Sequence, residues 1–197
     1  MFLQLGDIVV HAAVAGPAGG ASDREPPVLM LHSIGTTMEV FAPQVAALAR
    51  HRRVIRMDLR GHGYSDVTPG PYSMSQHARD ALALLDALGV KQAHVVGLSI
   101  GGRIALQMAA EAPARVASLC LMDTAAEFAP AEAWQQRIDA VLGRGTEALV
   151  DAVIARWVVD ASLASSQGLR RMLLNTDRQG YAGSAAALRD ARAAEIA

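Results

Sequence analysis

The pentapeptide Gly97-Leu98-Ser99-Ile100-Gly101 places a serine between small residues. It follows the short apolar run Ala93-His94-Val95-Val96 and precedes residues 102–110, whose apolar positions recur at helical spacing. A serine at such a strand-to-helix turn is presented on a sharply bent backbone. The residues two before and two after it must be small for the chains to approach, and Gly97 and Gly101 meet that need. The chemistry on offer is acyl transfer. The hydroxyl is a weak nucleophile at neutral pH and requires a base within hydrogen-bond reach. The oxyanion formed on the attacked carbonyl requires two N–H donors. The spacing assigns one donor to the N–H of Ile100, at the start of the following helix. The other falls to the N–H of Ile34, in the loop His32-Ser33-Ile34-Gly35 after the apolar run Val28-Leu29-Met30-Leu31.

The base is harder to place. All six histidines (His11, His32, His51, His62, His77, His94) precede Ser99. His32 reads as a loop anchor bonded to backbone, and His62, in a glycine-bounded turn, and His94, on the strand before the serine, read as structural. Asp123 follows the apolar run 116–122 and reads as a hinge or loop-capping residue. There is no Gly-Lys-Ser/Thr phosphate loop, no G-x-G-x-x-G and no His/Cys cluster at metal spacing, so neither a metal nor an organic cofactor is expected.

The elements that position these residues follow from periodicity. Residues 2–5 and 8–15 form a hairpin about Gly6-Asp7, and residues 16–27 form a Gly/Pro/Ala-rich loop. Strands are expected over 28–31, 54–57, 93–96 and 116–122, and helices over 38–50, 73–88 (ended by Gly89) and 100–111. After Asp123 only helical patterns occur: 130–143 opened by Pro130, 147–158 capped by Thr146, 166–174 and 179–193. Buried strands alternating with helices imply an α/β protein with a mainly parallel sheet. The wholly helical stretch implies a cap over one end of it.

Composition narrows the function classes. A chain of 197 residues, 52% hydrophobic, can bury one sizeable core. A net charge of -1 without a Lys/Arg cluster, and only 4% aromatic residues, argue against a nucleic-acid or anionic-membrane partner. No apolar run approaches the roughly 18 residues of a membrane span, and no basic segment precedes Ala13-Val14-Ala15 as it would in a secretory signal. The single cysteine, Cys120, reads as a buried hydrophobe rather than a disulfide partner, which points to the cytoplasm. Residues 116–122 carry no charge and no proline, so a free edge there would invite self-association.

Three segments, Leu31-His32-Ser33-Ile34-Gly35, residues 58–65 (Asp-Leu-Arg-Gly-His-Gly-Tyr-Ser) and Gly97-Leu98-Ser99-Ile100-Gly101-Gly102, resemble the α/β-hydrolase family. Within it the chain most resembles the 3-oxoadipate enol-lactonases. That narrower likeness rests on residues 69–74, 81–89, Arg156-Trp157, 172–176, Gly180-Tyr181 and 187–190. The resemblance implies an α/β-hydrolase core over residues 1–124, comprising the first six strands with the last two missing, and a helical cap over 125–197. It implies a serine hydrolase acting on a small-molecule lactone or ester. The triad runs in the order serine, acid, histidine, with the acid of the lactonase branch later than Asp123. A C-terminally truncated enzyme, inactive as it stands, is therefore expected. A lactone bearing a carboxylate implies cap contacts from Trp134, Arg137, Arg156 and Trp157, with Arg189 a further candidate. Another capped hydrolase (an esterase, a carbon–carbon hydrolase, a cofactor-free haloperoxidase) shares the same elbow, and a non-catalytic fragment or pseudoenzyme is the alternative of a different class.

Overall fold

The computed structural model describes residues 1–17, 25–128 and 130–196. Six strands, β1 (Phe2–Leu5), β2 (Ile8–Ala15), β3 (Val28–Leu31), β4 (Val54–Met57), β5 (Ala93–Leu98) and β6 (Val116–Met122), form one sheet in the order β1-β2-β4-β3-β5-β6. The β1–β2 hairpin joins β4 antiparallel, and β4, β3, β5 and β6 run parallel. All four residues of β3 are buried, which is why that strand is a continuous apolar run instead of an alternating one.

Helices α1 (Ala42–Leu48), α2 (Met74–Ala87) and α3 (Ile100–Glu111) connect the parallel strands. Ser73 caps α2 by accepting from the Gln76 N–H at 3.1 Å. Gly89, at φ +66°, ends it as the Val90 N–H closes on the Leu85 carbonyl at 2.8 Å. Arg60, in the loop after β4, pairs with Asp80 of α2 at 2.7 Å and Asp7 of the β1–β2 turn at 2.9 Å, tying three separate segments together.

The helical stretch comprises α4 (Ala131–Arg144), α5 (Val150–Trp157), α6 (Ala164–Leu174) and α7 (Arg178–Asp190). Helix α7 sits directly on core loops. A Cβ at Gly180 would lie 1.9 Å from the Gly61 carbonyl oxygen, and the Tyr72 N–H donates to Gly183 O at 3.2 Å. Buried Arg103 of α3 donates to Ala126 O at 2.9 Å and Arg192 O at 3.1 Å, and meets Glu195 at 2.8 Å. One guanidinium thus tethers both ends of the helical stretch to the helix that follows the serine.

The structure differs from the sequence-based expectations in four places. The helix expected over 38–50 begins as a 3-10 turn, Met38–Phe41, and α1 starts afresh around Pro43, whose missing N–H is tolerated only in a first turn. The helix expected over 147–158 likewise starts as a 3-10 turn at Thr146–Ala148. Thr146 does not cap it but donates to Leu174 O at 3.3 Å. Cys120 is exposed rather than buried, because β6 lies at the sheet edge and little among the described residues covers it. Leu121 and Met122 beside it are each 41% exposed. The loop expected over 16–27 falls largely outside the described residues.

Candidate active site

Ser99 occupies the turn between β5 and α3 at φ 55°, ψ -116°, a conformation that L-residues rarely adopt. Backbone contacts hold it there. The Ser99 N–H donates to Met122 O at 2.9 Å, and Thr124 Oγ1 donates to Ser99 O at 2.7 Å. The small neighbours are obligatory: a Cβ at Gly97 would lie 2.3 Å from Gly101 O, and one at Gly101 would lie 2.1 Å from Leu31 O. Because α3 begins at Ile100, the positive end of its dipole faces the serine. Among the described residues, Ser99 Oγ has no hydrogen-bond partner, and the N–H groups of Ile34 and Ile100 have no acceptor.

Two histidines fix the loop that carries Ile34. The Leu59 N–H donates to His32 Nε2 at 2.9 Å, while His32 Nδ1 donates to Ser33 O at 2.8 Å. The Gly35 N–H donates to His62 Nε2 at 3.0 Å, while His62 Nδ1 donates to Arg60 O at 3.1 Å. Both rings are neutral pins between the loops after β3 and β4, matching the anchoring and structural roles read from the sequence. Burial lowers the pKa of His32, and burial together with neighbouring His32 holds His62 down at about 3. Buried His77 is likewise lowered to about 3, chiefly by desolvation. Its Nε2 lies 3.3 Å from Ser184 Oγ and its Nδ1 has no partner. His11 bonds Asp58 and His94 bonds Ser118, each at 2.8 Å. None of the six histidines lines the cleft around Ser99.

That cleft has two lobes of about 190 and 200 Å³, both lined by Ser33, Ser99, Asp123, Arg156 and Trp157. One lobe extends to Val40 and Leu169, the other to Ile34, Trp134, Arg137 and Tyr181. All four cap residues expected to contact substrate therefore converge on the serine. The Arg137 guanidinium stacks over the Trp134 ring at 4.7 Å. Neither Arg137 nor Arg156 has a carboxylate partner among the described residues, whereas Arg189 pairs with Asp190 and lies away from this cleft. Among the described residues, Asp123, at φ 46°, is the other non-glycine residue with positive φ, and its carboxylate caps no N–H. It lines both lobes instead, which sequence reasoning missed, as it did Phe128 and Tyr181. Among the described residues, the charged side chains lining the cleft are thus Asp123, Arg137 and Arg156, with one formal positive charge in excess.

The alpha/beta hydrolase fold family matches residues 26–184, and the chain belongs to that family. 3-Oxoadipate enol-lactonase 1 of Acinetobacter baylyi is 34% identical over 170 residues, covering 84% of this chain and 64% of the relative. The enol-lactonase from Burkholderia xenovorans superposes with a TM-score of 0.92 at 33% identity, over 97% of this chain and 74% of that one. A hydrolase from Pseudomonas aeruginosa gives 0.91 at 38% identity, over 97% and 72%. The chain spans less than two thirds of the length of the first of these relatives.

The neutral buried rings make stability depend on pH. In the unfolded chain His62 and His77 titrate near 6.5, and in the folded chain near 3. Above pH 6.5 neither state binds the proton and their contribution is complete. Below it the unfolded chain takes up protons that the folded chain refuses, and stability falls until the pH reaches about 3. The free energy of urea unfolding should drop between pH 7 and 5, with a limiting slope of about 1.4 kcal/mol per pH unit per histidine. His77→Asn should flatten that slope; an unchanged slope would contradict the assignment of His77 as a neutral buried ring.

Proposed function

We propose that this chain carries the nucleophile, the oxyanion donors and the substrate contacts of a serine hydrolase that opens a carboxylate-bearing lactone of the enol-lactonase type. The observation that carries the reading is the strained Ser99, on the floor of a cleft with Arg137 and Arg156; among the described residues its hydroxyl has no partner and neither arginine has a carboxylate partner. In this reading Ser99 Oγ attacks the lactone carbonyl and the N–H groups of Ile34 and Ile100 hold the oxyanion. The ring oxygen leaves, taking up a proton, and water then releases the acyl group as a second carboxylate. Arg137, stacked on Trp134, and Arg156 beside Trp157 receive the carboxylate that the substrate already carries, a role suited to the planar guanidinium fork. The serine proton goes to a base that these 197 residues do not contribute, since the histidine rings sit elsewhere. We place the reaction in the cytoplasm, on the reading of the lone cysteine as a thiol. The same missing base favours one second reading, a binding-only chain that needs no turnover at Ser99.

Free imidazole tests this directly by standing in for the base. With an excess of imidazole, the chain should hydrolyse the enol-lactone above the imidazole background, and Ser99→Ala should abolish the gain. Arg156→Gln should cost about tenfold on the lactone and much less on a neutral ester, as expected when one charge-assisted contact is lost. Turnover that survives in Ser99→Ala, or a neutral ester preferred over the lactone, would overturn the reading. Lactone binding without any imidazole-dependent turnover would favour the binding-only alternative.

We also propose that β6, with its uncharged, proline-free edge and exposed Leu121 and Met122, mediates self-association of the 197-residue chain. Sedimentation should show mass rising with concentration, and Leu121→Lys should suppress the rise. A monomer at every concentration would refute it.

A further inference from the structure

A second cavity, of about 520 Å³, lies between α6 and the core loops after β3 and β4. It shares no lining residue with the Ser99 cleft, although Thr37, Glu39 and Gly168 line it where neighbouring Thr36, Val40 and Leu169 line the cleft. Its volume falls within the range of small-molecule sites. The polar groups at its wall are prepared unequally. Buried Asp58 accepts from the Met38 N–H at 2.8 Å, the Tyr64 N–H at 3.1 Å and His11 Nδ1 at 2.8 Å, so its charge is engaged within the fold. The His11 ring is fixed between Phe2, at 4.9 Å, and the edge of Tyr64, at 5.3 Å. Its Nε2 has no partner among the described residues. Glu39 is paired with Arg56 at 3.3 Å. Arg171, in the last turn of α6, is the one Lys or Arg lining this cavity among the described residues, and it has no carboxylate partner among them. Met38 and Met172 supply a deformable apolar wall.

We propose that this cavity is a binding site for a small organic monocarboxylate, separate from the hydrolytic cleft. Arg171 and the Asn175 amide take the carboxylate, and the hydrocarbon body packs on Met38, Met172 and the His11 and Tyr64 rings. One uncompensated cation set among thioethers and an aromatic ring suits a singly charged, largely apolar anion. An inorganic oxyanion would meet the same Asp58 and Glu39 carboxylates but gain nothing from the methionines to offset them.

Benzoate is the probe, titrated into the 197-residue chain while the His11 and Tyr64 ring resonances and the heat of binding are followed. The proposal expects saturable shifts at both rings. Affinity should weaken about tenfold in Arg171→Gln but stay within about twofold in Arg156→Gln. Three results would overturn it: no shift at His11 or Tyr64 at any soluble benzoate concentration; affinity lost in Arg156→Gln but kept in Arg171→Gln, which places benzoate in the Ser99 cleft; or inorganic phosphate binding as tightly as benzoate. Arg171 is exposed on the cap, and a circular-dichroism melt of each variant separates lost binding from lost fold.

Discussion

The backbone of Ser99 is the constraint on which the rest of the site depends. Holding a serine at φ 55°, ψ -116° costs on the order of 1–3 kcal/mol, and such a conformation persists only where its surroundings over-determine it. Here β5 lies between β3 and β6, so the turn inherits a rigid base from both neighbours. Leu31 is in register with Gly97, and Met122 with Leu98, which brings the ends of all three strands to one level. The backbone of Leu31 then presses on Gly101, and the carbonyl of Met122 takes the serine N–H. Fixing Ser99 thus fixes where the loop carrying Ile34 and the segment carrying Asp123 must begin, since the first follows β3 and the second follows β6.

The charge distribution follows from the same arrangement. The loops around the serine need polar anchors that reach across the sheet, and a charge buried there would be costly without a partner. His32 and His62 solve this as neutral rings, each donating with one nitrogen and accepting with the other. Among the described residues, formal charge at the cleft is left to Asp123 and to Arg137 and Arg156 of α4 and α5. The cleft therefore carries excess positive charge in a chain whose formal net charge is -1. Selectivity for an anionic substrate, on this reading, resides in the cap, while the core supplies the serine and its backbone donors.

Much of this was legible in the amino-acid order because it rests on local rules. The elbow needed small residues at 97 and 101, the buried strands needed unbroken apolar runs, and the cap helices kept a helical period. What escaped was decided by tertiary placement. Cys120 sits in a run that reads as core, but its exposure depends on which strand ends the sheet. Asp123 reads as a hinge or loop cap, but its positive φ, and hence its place in both lobes of the cleft, belongs to the turn after β6 and not to any residue signature. Trp134, Arg137, Arg156 and Trp157 were recoverable only through a family resemblance, since nothing in their spacing says that α4 and α5 face the serine. The pocket formed by His11 and Arg171, 160 positions apart, has no local signature at all.

The central claim is that Ser99 is a preorganised nucleophile whose base does not come from these 197 residues. Reaction of the chain with a fluorophosphonate, followed by mass spectrometry over time, tests it most directly. A serine without its histidine loses up to about a millionfold in turnover, while a preorganised oxyanion site keeps about a thousandfold over water. The account predicts one adduct, on the peptide carrying Ser99, forming at least about a thousandfold more slowly than on a serine hydrolase whose base is in place. Rapid labelling of Ser99 would show that one of the six histidines reaches it, and an adduct on any other residue would show that the strained turn is not a nucleophile's seat.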